Sequence, residues 1–213
     1  MILVIEPHNA SEHSNLIDEM FRLRARIFHD QLRWDVQVSD GKERDKYDDE
    51  GPVYLIHADD EKKKVKGSLR LLPTTGPTVL ADFFSDTLPS AAHLSAPSIW
   101  ECTRFCLDDT MISSNGCREE QYQNSAVLIA ALGDVAIKAG IESILGNFDS
   151  AMLRLYRRIG CEVDVLGSTE RYGQSIYLGL FSISDTILHK VKRRLEKAQS
   201  VMEGSPQRRV LVA

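Results

Sequence analysis

Residues 99–107 read IWECTRFCL, an apolar run typical of a core strand that carries two charged side chains in its middle. Strict alternation would place Glu101 and Arg104 on opposite faces of the strand, and neither face would then suit solvent. A bulge would turn both side chains toward one cleft, and bulges are frequent next to active sites. Partial burial there would raise the pKa of Glu101 and suit it to take a proton from an amine near neutral pH. The alternative is an ion pair between Glu101 and Arg104 that plays no part in catalysis.

On both sides of this segment, short apolar runs predict further strands, and amphipathic patterns between them predict helices. The predicted strands are Ile2–Ile5, Val53–Ala58, Val65–Leu72, Ser143–Phe148, Cys161–Leu166 and Ser175–Phe181. The predicted helices are Asn15–Leu32, Val79–Phe84, Gln121–Lys138, Ser150–Ile159 and an amphipathic segment in the last thirty residues. Interleaved strands and helices predict a mixed sheet covered by helices on both faces. We expect a single domain over residues 1–213, with a flexible tail at 205–213.

The composition, with 43% hydrophobic and 27% charged residues, is that of an ordinary globular domain. A net charge of −5 argues against general nucleic-acid binding, which usually needs a basic surface. No apolar run approaches the length of about eighteen residues that spans a membrane. The N-terminal MILVIEPHNA lacks the features of a signal peptide, so we expect a cytoplasmic location.

The four cysteines lack a CxxC pair and have no histidines at zinc spacing. We interpret them as reduced thiols and expect no metal site. Cys102 and Cys106 could act as nucleophiles, but no histidine base lies near them in the sequence. Packing as small hydrophobic side chains is the favoured interpretation.

A second unusual segment is FRLRARIFHDQLRWDVQVSDGKERDKYDDE, residues 21–50. On the predicted helix Arg24 and Phe28 are four residues apart and share a face, and Trp34 follows just past the helix. The acidic loop after it supplies Asp45 and Asp48. A guanidinium, two aromatic rings and two carboxylates suit a small molecule that is both zwitterionic and cationic. The alternative is a solvated acidic loop held by ion pairs to the helix.

Arg70 lies inside GSLRLLP, a segment with the pattern of a strand. A mid-strand arginine between two leucines must either pair with an acid or emerge on the surface of an edge strand.

Nine residues occur in the order and at the spacing of a known family. They are Arg24, Phe28, Trp34, Asp45, Asp48, Arg70, Phe84, Glu101 and Arg104, most of them in the strings RLRARIF, RWDV, ERDKYDDE, SLRLLPT and ECTRF. In these positions the chain resembles the acyl-homoserine-lactone synthases, the LuxI-type autoinducer synthases of bacterial quorum sensing. The match is densest from Phe21 to Cys106 and continues more loosely to Gly167.

The resemblance implies an α/β fold similar to the GCN5-related N-acetyltransferases. This fold is a three-layer α-β-α sandwich with a mixed, mostly antiparallel central sheet. The resemblance also implies S-adenosylmethionine as a substrate and an acyl thioester on acyl carrier protein, or acyl-CoA, as acyl donor. The reaction would be N-acylation followed by lactonisation, with release of methylthioadenosine. No cofactor and no metal would be needed.

The resemblance further assigns roles to individual residues. Glu101 would be the base, with Thr103 and Arg104 beside it. The S-adenosylmethionine pocket would be formed by Arg24, Phe28, Trp34, Asp45, Asp48, Arg70, Phe84 and Arg104. Backbone N–H groups near Phe105 would stabilise the oxyanion.

The acyl chain would lie between the sheet and the later helices, and an acidic carrier protein would dock on basic helices. Candidates to line the chain are Trp100, Phe105, Met111, Leu128, Gly146, Met152, Leu153 and Tyr156. Candidates for docking are Arg154, Arg157, Arg158, Lys190 and Arg193. For each of these residues ordinary core packing or a solvated helix face is the alternative. Some members carry a threonine near the position of Gly146 that favours 3-oxo chains, so the acyl group stays open.

Two rival functions remain. An acyl-CoA-dependent N-acyltransferase of the same fold would need a glycine-rich turn for pyrophosphate. The segment Leu107–Glu120 has one glycine, which disfavours that reading. A non-catalytic S-adenosylmethionine sensor would not need Glu101 together with a basic docking face.

Overall fold

The computed structural model describes residues 1–59, 64–90, 94–108, 117–171 and 173–203. The strands are β1 (Ile2–Ile5), β2 (Val38–Ser39), β3 (Lys42–Glu43), β4 (Val53–Ala58), β5 (Val65–Pro73), β6 (Ile99–Leu107), β7 (Ser143–Asp149), β8 (Val163–Arg171) and β9 (Gln174–Ser182). The helices are α1 (Ser14–Arg24), α2 (Val79–Phe83), α3 (Cys117–Lys138), α4 (Ser150–Ile159) and α5 (Asp185–Glu203). A π-helical segment, Ala25–Gln31, continues α1, and short 3₁₀ turns cover Ala10–His13, Lys46–Asp49 and Ser85–Thr87. No helix among the described residues is long and apolar enough to cross a membrane.

Seven strands form one sheet in the order β1-β4-β5-β6-β7-β9-β8. Every recorded pairing is antiparallel except that of β6 with β7, which is parallel. The prediction of a mixed, mostly antiparallel sheet is therefore confirmed. Pairing of β6 with β7 covers only Ile99–Glu101 against Ser143–Leu145. Beyond that point the two strands part and leave an opening in the sheet, which we call the strand gap.

Helices cover both faces of the sheet because the strands are apolar on both sides. In β4, Tyr54 and Ile56 pack in a buried cluster with Met20 of α1. The alternate residues Val53 and Leu55 pack in a second cluster on the side of α3. This two-sided burial agrees with the predicted three-layer sandwich.

The predicted bulge in β6 is present. Ser68 pairs with Cys106 and Arg70 with Thr103, so β6 has one residue more than β5 over this stretch. Arg104 takes up the extra residue with a left-handed backbone, φ 52°. Thr103 and Arg104 consequently project to the face that carries α1, and Phe105 packs in the cluster on the side of α3.

Three element predictions need correction. The predicted helix Asn15–Leu32 is divided into α1 and the π-helical segment. The strand predicted at Cys161–Leu166 is β8 and extends to Arg171, because it is the outer strand of the sheet and its polar end does not need burial. The hairpin of β2 and β3 was missed. The single-domain prediction stays a prediction, and Met111 and the tail 205–213 lie outside the described residues.

Candidate active site

Six charged side chains form a closed ring of alternating sign on the α1 face of the sheet. In order around the ring they are Arg24, Glu43, Arg104, Asp45, Arg70 and Asp48. Each arginine contacts two acids and each acid contacts two arginines. We call this cluster the charge ring, and its formal charge is zero.

The contacts in the charge ring are short, and two of them are bidentate. Arg24 donates from Nε to Glu43 at 2.5 Å and from both terminal nitrogens to Asp48 at 2.8 and 2.9 Å. Arg70 donates to both oxygens of Asp45 at 2.5 and 3.0 Å and to Asp48 at 2.7 Å. Arg104 closes the ring, with contacts of 2.9 Å to Glu43 and 2.8 Å to Asp45. Charge-assisted pairs of this kind fix geometry as well as contributing energy.

Local sequence explains how the three acids reach the ring, beginning with Glu43. Asp40 and Gly41 both have positive φ, 52° and 72°, which makes the type I′ turn that joins β2 to β3. The hairpin turns Glu43 inward, where it is fully buried. Lys42 ties the hairpin to α1 by a 2.6 Å contact with Asp18.

The other two acids sit at the start of the 3₁₀ turn Lys46–Asp49. The side chain of Asp45 accepts a hydrogen bond from the backbone of Tyr47, and that of Asp48 accepts one from the backbone of Asp45. These backbone hydrogen bonds hold the side chains of both acids in the rotamers in which they contact the arginines. Tyr54 also donates to Asp48 at 2.8 Å.

The electrostatic balance of the ring keeps Asp48 and Arg24 charged. Burial alone would raise the pKa of Asp48, but the hydrogen bond and charge of Arg24 and the charge of Arg70 hold it far below its usual range. Burial would lower the pKa of Arg24, and its acidic partners raise it instead. Each charge therefore depends on its neighbours in the ring.

Arg104 is the ring member that reaches the main cavity. The side chains of Arg24, Arg70, Glu43 and Asp48 are at most 1% exposed, whereas those of Arg104 and Asp45 are 14% and 18% exposed. Of these two, Arg104 lines the cavity. Its guanidinium lies 5.3 Å from the centre of the Phe28 ring. Phe28 in turn stacks on Trp34, with ring centres 5.2 Å apart.

The main cavity has a volume of about 360 Å³ and includes residues from both faces of the sheet, which it crosses at the strand gap. Its polar half lies on the α1 and α2 face and includes Phe28, Trp34, Phe84, Glu101, Thr103 and Arg104. Its apolar half lies on the side of α3, α4 and α5 and includes Phe105, Gly146, Phe148, Met152, Tyr156, Phe181 and Leu188. The cavity can therefore hold a ligand with a polar head and an apolar tail.

Glu101 lines the polar half and is 2% exposed. Its two oxygens accept backbone hydrogen bonds from Val79 and Leu80 of α2, at 2.9 and 2.6 Å. Burial raises the pKa of Glu101 to about 7, although the two amides favour the charged form and oppose the rise. The carboxyl group can thus exchange a proton near neutral pH.

The family model for autoinducer synthases matches residues 7–191. The chain belongs to the autoinducer synthase family. An acyl-homoserine-lactone synthase of Rhizobium etli is 39% identical over 186 residues, which cover 85% of each chain.

Solved structures agree with this family and with the predicted fold. BjaI, a CoA-dependent acyl-homoserine lactone synthase solved with SAM and isopentyl-CoA, has a TM-score of 0.80 and 27% identity. The match covers 92% of this chain and 89% of BjaI. An acyl-CoA N-acyltransferase from Pseudomonas aeruginosa shares only the fold, with a TM-score of 0.52 and 11% identity over 84% of this chain and 97% of that one. The protein is thus an acyltransferase, with the N-acyltransferase fold that the sequence predicted.

Within the autoinducer synthase fold, the predicted site residues divide into two groups. Phe28, Trp34, Phe84, Glu101, Thr103, Arg104, Phe105, Gly146, Met152 and Tyr156 line the cavity. Arg24, Asp45, Asp48 and Arg70 do not, because their polar atoms are committed to the charge ring. That these acids face a cationic ligand stays a prediction. In the structure Asp45 contacts Arg104 directly, and Asp48 contacts Arg24 and Arg70. Arg70 also donates to the Thr103 hydroxyl at 3.0 Å.

Three acyl candidates also lie outside the cavity lining. Trp100 packs on the buried cluster beside α3 and donates to the carbonyl of Pro97 at 3.2 Å. Leu153 is half-buried on α4 but does not border the cavity, and Leu128 belongs to the core. Conversely, the sequence analysis missed Glu43, although the Asp40–Gly41 turn signal could have predicted the hairpin that buries it.

The docking candidates lie on the outer faces of α4 and α5. Arg154, Arg157 and Arg193 are exposed. Arg158 pairs with Glu119 at 3.2 Å, and Lys190 with Glu162 at 3.4 Å. Their role in docking a carrier protein stays a prediction.

Cys102 and Cys106 pack as the sequence indicated. Burial raises the pKa of Cys102 to about 12 and that of Cys106 to about 11, so both thiols stay protonated at neutral pH. Among the described residues no cluster of histidine, cysteine and acidic side chains could hold a metal ion.

Proposed function

We propose that this protein makes an acyl-homoserine lactone from S-adenosylmethionine and an acyl thioester. The observation that carries the proposal is the cavity that crosses the sheet at the strand gap. It joins a polar half with an arginine and a carboxyl group to an apolar half suited to an acyl chain. BjaI, which shares the fold and 27% identity, is described as bound to SAM and isopentyl-CoA.

In the polar half, S-adenosylmethionine would be held by charge and by aromatic contact. The guanidinium of Arg104 can bind the substrate carboxylate, because one side of it stays exposed while the ring fixes the other. Phe28 and Trp34 offer stacked rings to the adenine or the sulfonium. Phe84, which directly follows α2, lines the same half.

The chemistry needs one proton transfer before the bond forms. A free α-amino group titrates near pH 8 and must lose a proton to attack the thioester. Glu101, with a pKa of about 7, would take that proton, directly or through water. The amine nitrogen then bonds to the thioester carbon, the carbon–sulfur bond breaks, and the departing thiolate takes up the proton that the nitrogen loses as the amide forms.

Lactonisation is a displacement within the acylated product. The substrate carboxylate attacks its own γ-carbon, and the carbon–sulfur bond to the sulfonium breaks to release methylthioadenosine. The sulfonium is already a good leaving group, so the enzyme needs only to fold the carboxylate onto that carbon. Arg104 is placed to orient it.

We propose acyl carrier protein as the acyl donor, because an acidic carrier would be attracted to the basic side chains on α4 and α5. The second candidate is acyl-CoA, which BjaI's CoA dependence favours. The cytoplasmic location stays a prediction.

Mass spectrometry of products from the purified protein tests the proposal. The assay contains S-adenosylmethionine with a panel of acyl carrier proteins and matching acyl-CoAs. We expect equal amounts of acyl-homoserine lactone and methylthioadenosine, with faster turnover of carrier-bound acyl groups. Acylated product without lactone would instead indicate a plain N-acyltransferase, and faster turnover of acyl-CoA would reassign the donor.

A further inference from the structure

Asn147 is a polar residue of the cavity that neither the sequence analysis nor the proposed mechanism uses. It lies on β7 and borders the cavity. Its carboxamide nitrogen is buried and has no hydrogen-bond partner in the part of the chain that the structure describes. A buried donor without a partner is destabilising, so such a group calls for an explanation.

The position of Asn147 on β7 is fixed by the sheet register. Leu145 is the last residue of β7 that pairs with β6, and its partner is Glu101. Asn147 lies two residues further on, about 7 Å along the strand, on the same face of the sheet as Leu145. It therefore borders the strand gap on the side where Glu101 and Thr103 lie.

The gap is also where an acyl donor would have to react. In the proposed function the amine of S-adenosylmethionine lies in the polar half, and the acyl chain extends into the apolar half. The thioester carbon joins the two and must therefore lie in the gap. A donor at the edge of the gap can reach the oxygen of that thioester.

We propose that the carboxamide of Asn147 donates a hydrogen bond to the carbonyl oxygen of the acyl thioester. When the amine nitrogen bonds to the thioester carbon, that oxygen takes on negative charge. It returns the charge when the carbon–sulfur bond breaks and the thiolate leaves. A fixed donor at this oxygen stabilises the tetrahedral intermediate more than the ground state.

The state of the carboxamide fits this role. Among the described residues none makes a hydrogen bond to its nitrogen, so rotation about its last torsion, which exchanges oxygen and nitrogen, breaks no contact of that donor there. The N–H group can thus turn into the cavity when an acceptor arrives. A carbonyl oxygen of the bound acyl donor would give this nitrogen an acceptor.

This assignment adds a side-chain donor to the backbone N–H groups near Phe105 that the sequence analysis expected. It rests on the proposed function, since the oxygen belongs to the proposed acyl donor. It does not depend on whether the acyl group is carried by carrier protein or by CoA.

The test compares Asn147→Leu and Asn147→Asp with the wild type. Leu has a similar volume and no polar atoms, and Asp has nearly the same shape but no N–H group when charged. Three quantities are measured: kcat with saturated and 3-oxo acyl donors of equal length, the Kd of S-adenosylmethionine, and the Tm of the ligand-free protein. If the wild type forms no acyl-homoserine lactone, the proposed function itself is contradicted.

With an active wild type, we expect both variants to lose at least about 100-fold in kcat with every acyl donor. The Kd of S-adenosylmethionine should change little. The Tm of Asn147→Leu should equal or exceed that of the wild type, because an unpaired donor has been removed. A residue that only packs would give the opposite result, a lower Tm with kcat preserved.

Two results would overturn the assignment. One is a kcat within about threefold of the wild type in both variants, since an oxyanion donor contributes far more than that. The other is a loss limited to 3-oxo donors, because the carboxamide would then contact the chain rather than the reacting carbonyl. If Asn147→Leu does not fold, the same comparison with Asn147→Asp decides between these outcomes.

Discussion

The two halves of the cavity are built on different physical principles. The polar half rests on the charge ring, in which every side chain has named partners at fixed distances and four of six members are buried. The apolar half is lined by aromatic and aliphatic side chains around Gly146, which hold position by shape alone. Charged contacts in a buried ring are specific and intolerant of change, whereas apolar packing can adapt.

The contrast predicts which half of the cavity can change without loss of the proposed chemistry. In the proposed function the polar half holds the amino-acid head group and carries out the proton transfer. The apolar half can change its volume without disturbing Arg104 or Glu101. We therefore expect mutations around the polar half to reduce stability or turnover, and mutations in the apolar half to have a smaller effect, a change in the preferred acyl group.

The largest effect should come from opening the charge ring. Arg24→Met leaves Glu43 and Asp48 buried with one partner fewer, and we expect a loss of about 3–5 kcal/mol in the free energy of unfolding. Urea denaturation measures it. The matched control is Arg22→Met on the same helix, because Arg22 is exposed and lies 3.7 Å from Asp18. That variant should stay within about 0.5 kcal/mol of the wild type. Equal losses in the two variants would show that the ring has no special role.

The next effect should come from Glu101→Gln, which removes the proposed base. We expect kcat to fall by about 10²–10⁴ while S-adenosylmethionine still binds. In the wild type kcat/KM should rise with pH up to about 7, since only the ionised carboxylate accepts a proton. Steady-state kinetics from pH 5.5 to 8.5 gives both quantities.

The same residue should shape the pH dependence of stability. The pKa of Glu101 is raised from 4.5 to about 7 by folding, so between these values the folded state binds more protons than the unfolded state. The free energy of unfolding should therefore fall as the pH rises from 4.5 to 7, and Glu101→Gln should reduce that slope. Asp82→Asn is the control, because Asp82 anchors α2 through Tyr47 but does not border the cavity. A turnover rate equal to that of the wild type in Glu101→Gln would contradict the assignment of Glu101 as the base.

The smallest effect should come from the apolar half. A methyl group on Gly146 would meet Cys102 at 3.5 Å and Phe181 at 3.8 Å, which are ordinary contacts. Gly146→Ala should fold normally and shift the preferred acyl chain by about one methylene, with a change of roughly tenfold in relative kcat/KM. Competition between acyl donors of different length measures this ratio. Gly76→Ala, in a loop away from the cavity, is the control and should leave this ratio unchanged. An unchanged ratio in Gly146→Ala would show that the acyl chain lies elsewhere.

Several features of the fold could be predicted from short-range patterns. Apolar periodicity located the seven strands of the sheet and most of the helices. The charged pair inside IWECTRFCL predicted the bulge at Arg104, because only an irregular strand could bring Glu101 and Arg104 to one side. Residue types and spacing also named five of the six members of the charge ring.

The tertiary structure decided how those residues act. Closure of the ring joins residues 19 to 61 positions apart and needs Glu43, whose burial depends on the packing of a hairpin against α1. The same packing determines which charged side chains line the cavity. The strand gap arises where two strands distant in sequence stop pairing, and it exposes Asn147 to the site. The sequence determined the chemical groups and the local conformation that carries them. Only the folded structure determined which of them meet, because burial and pairing at long range are properties of the whole chain.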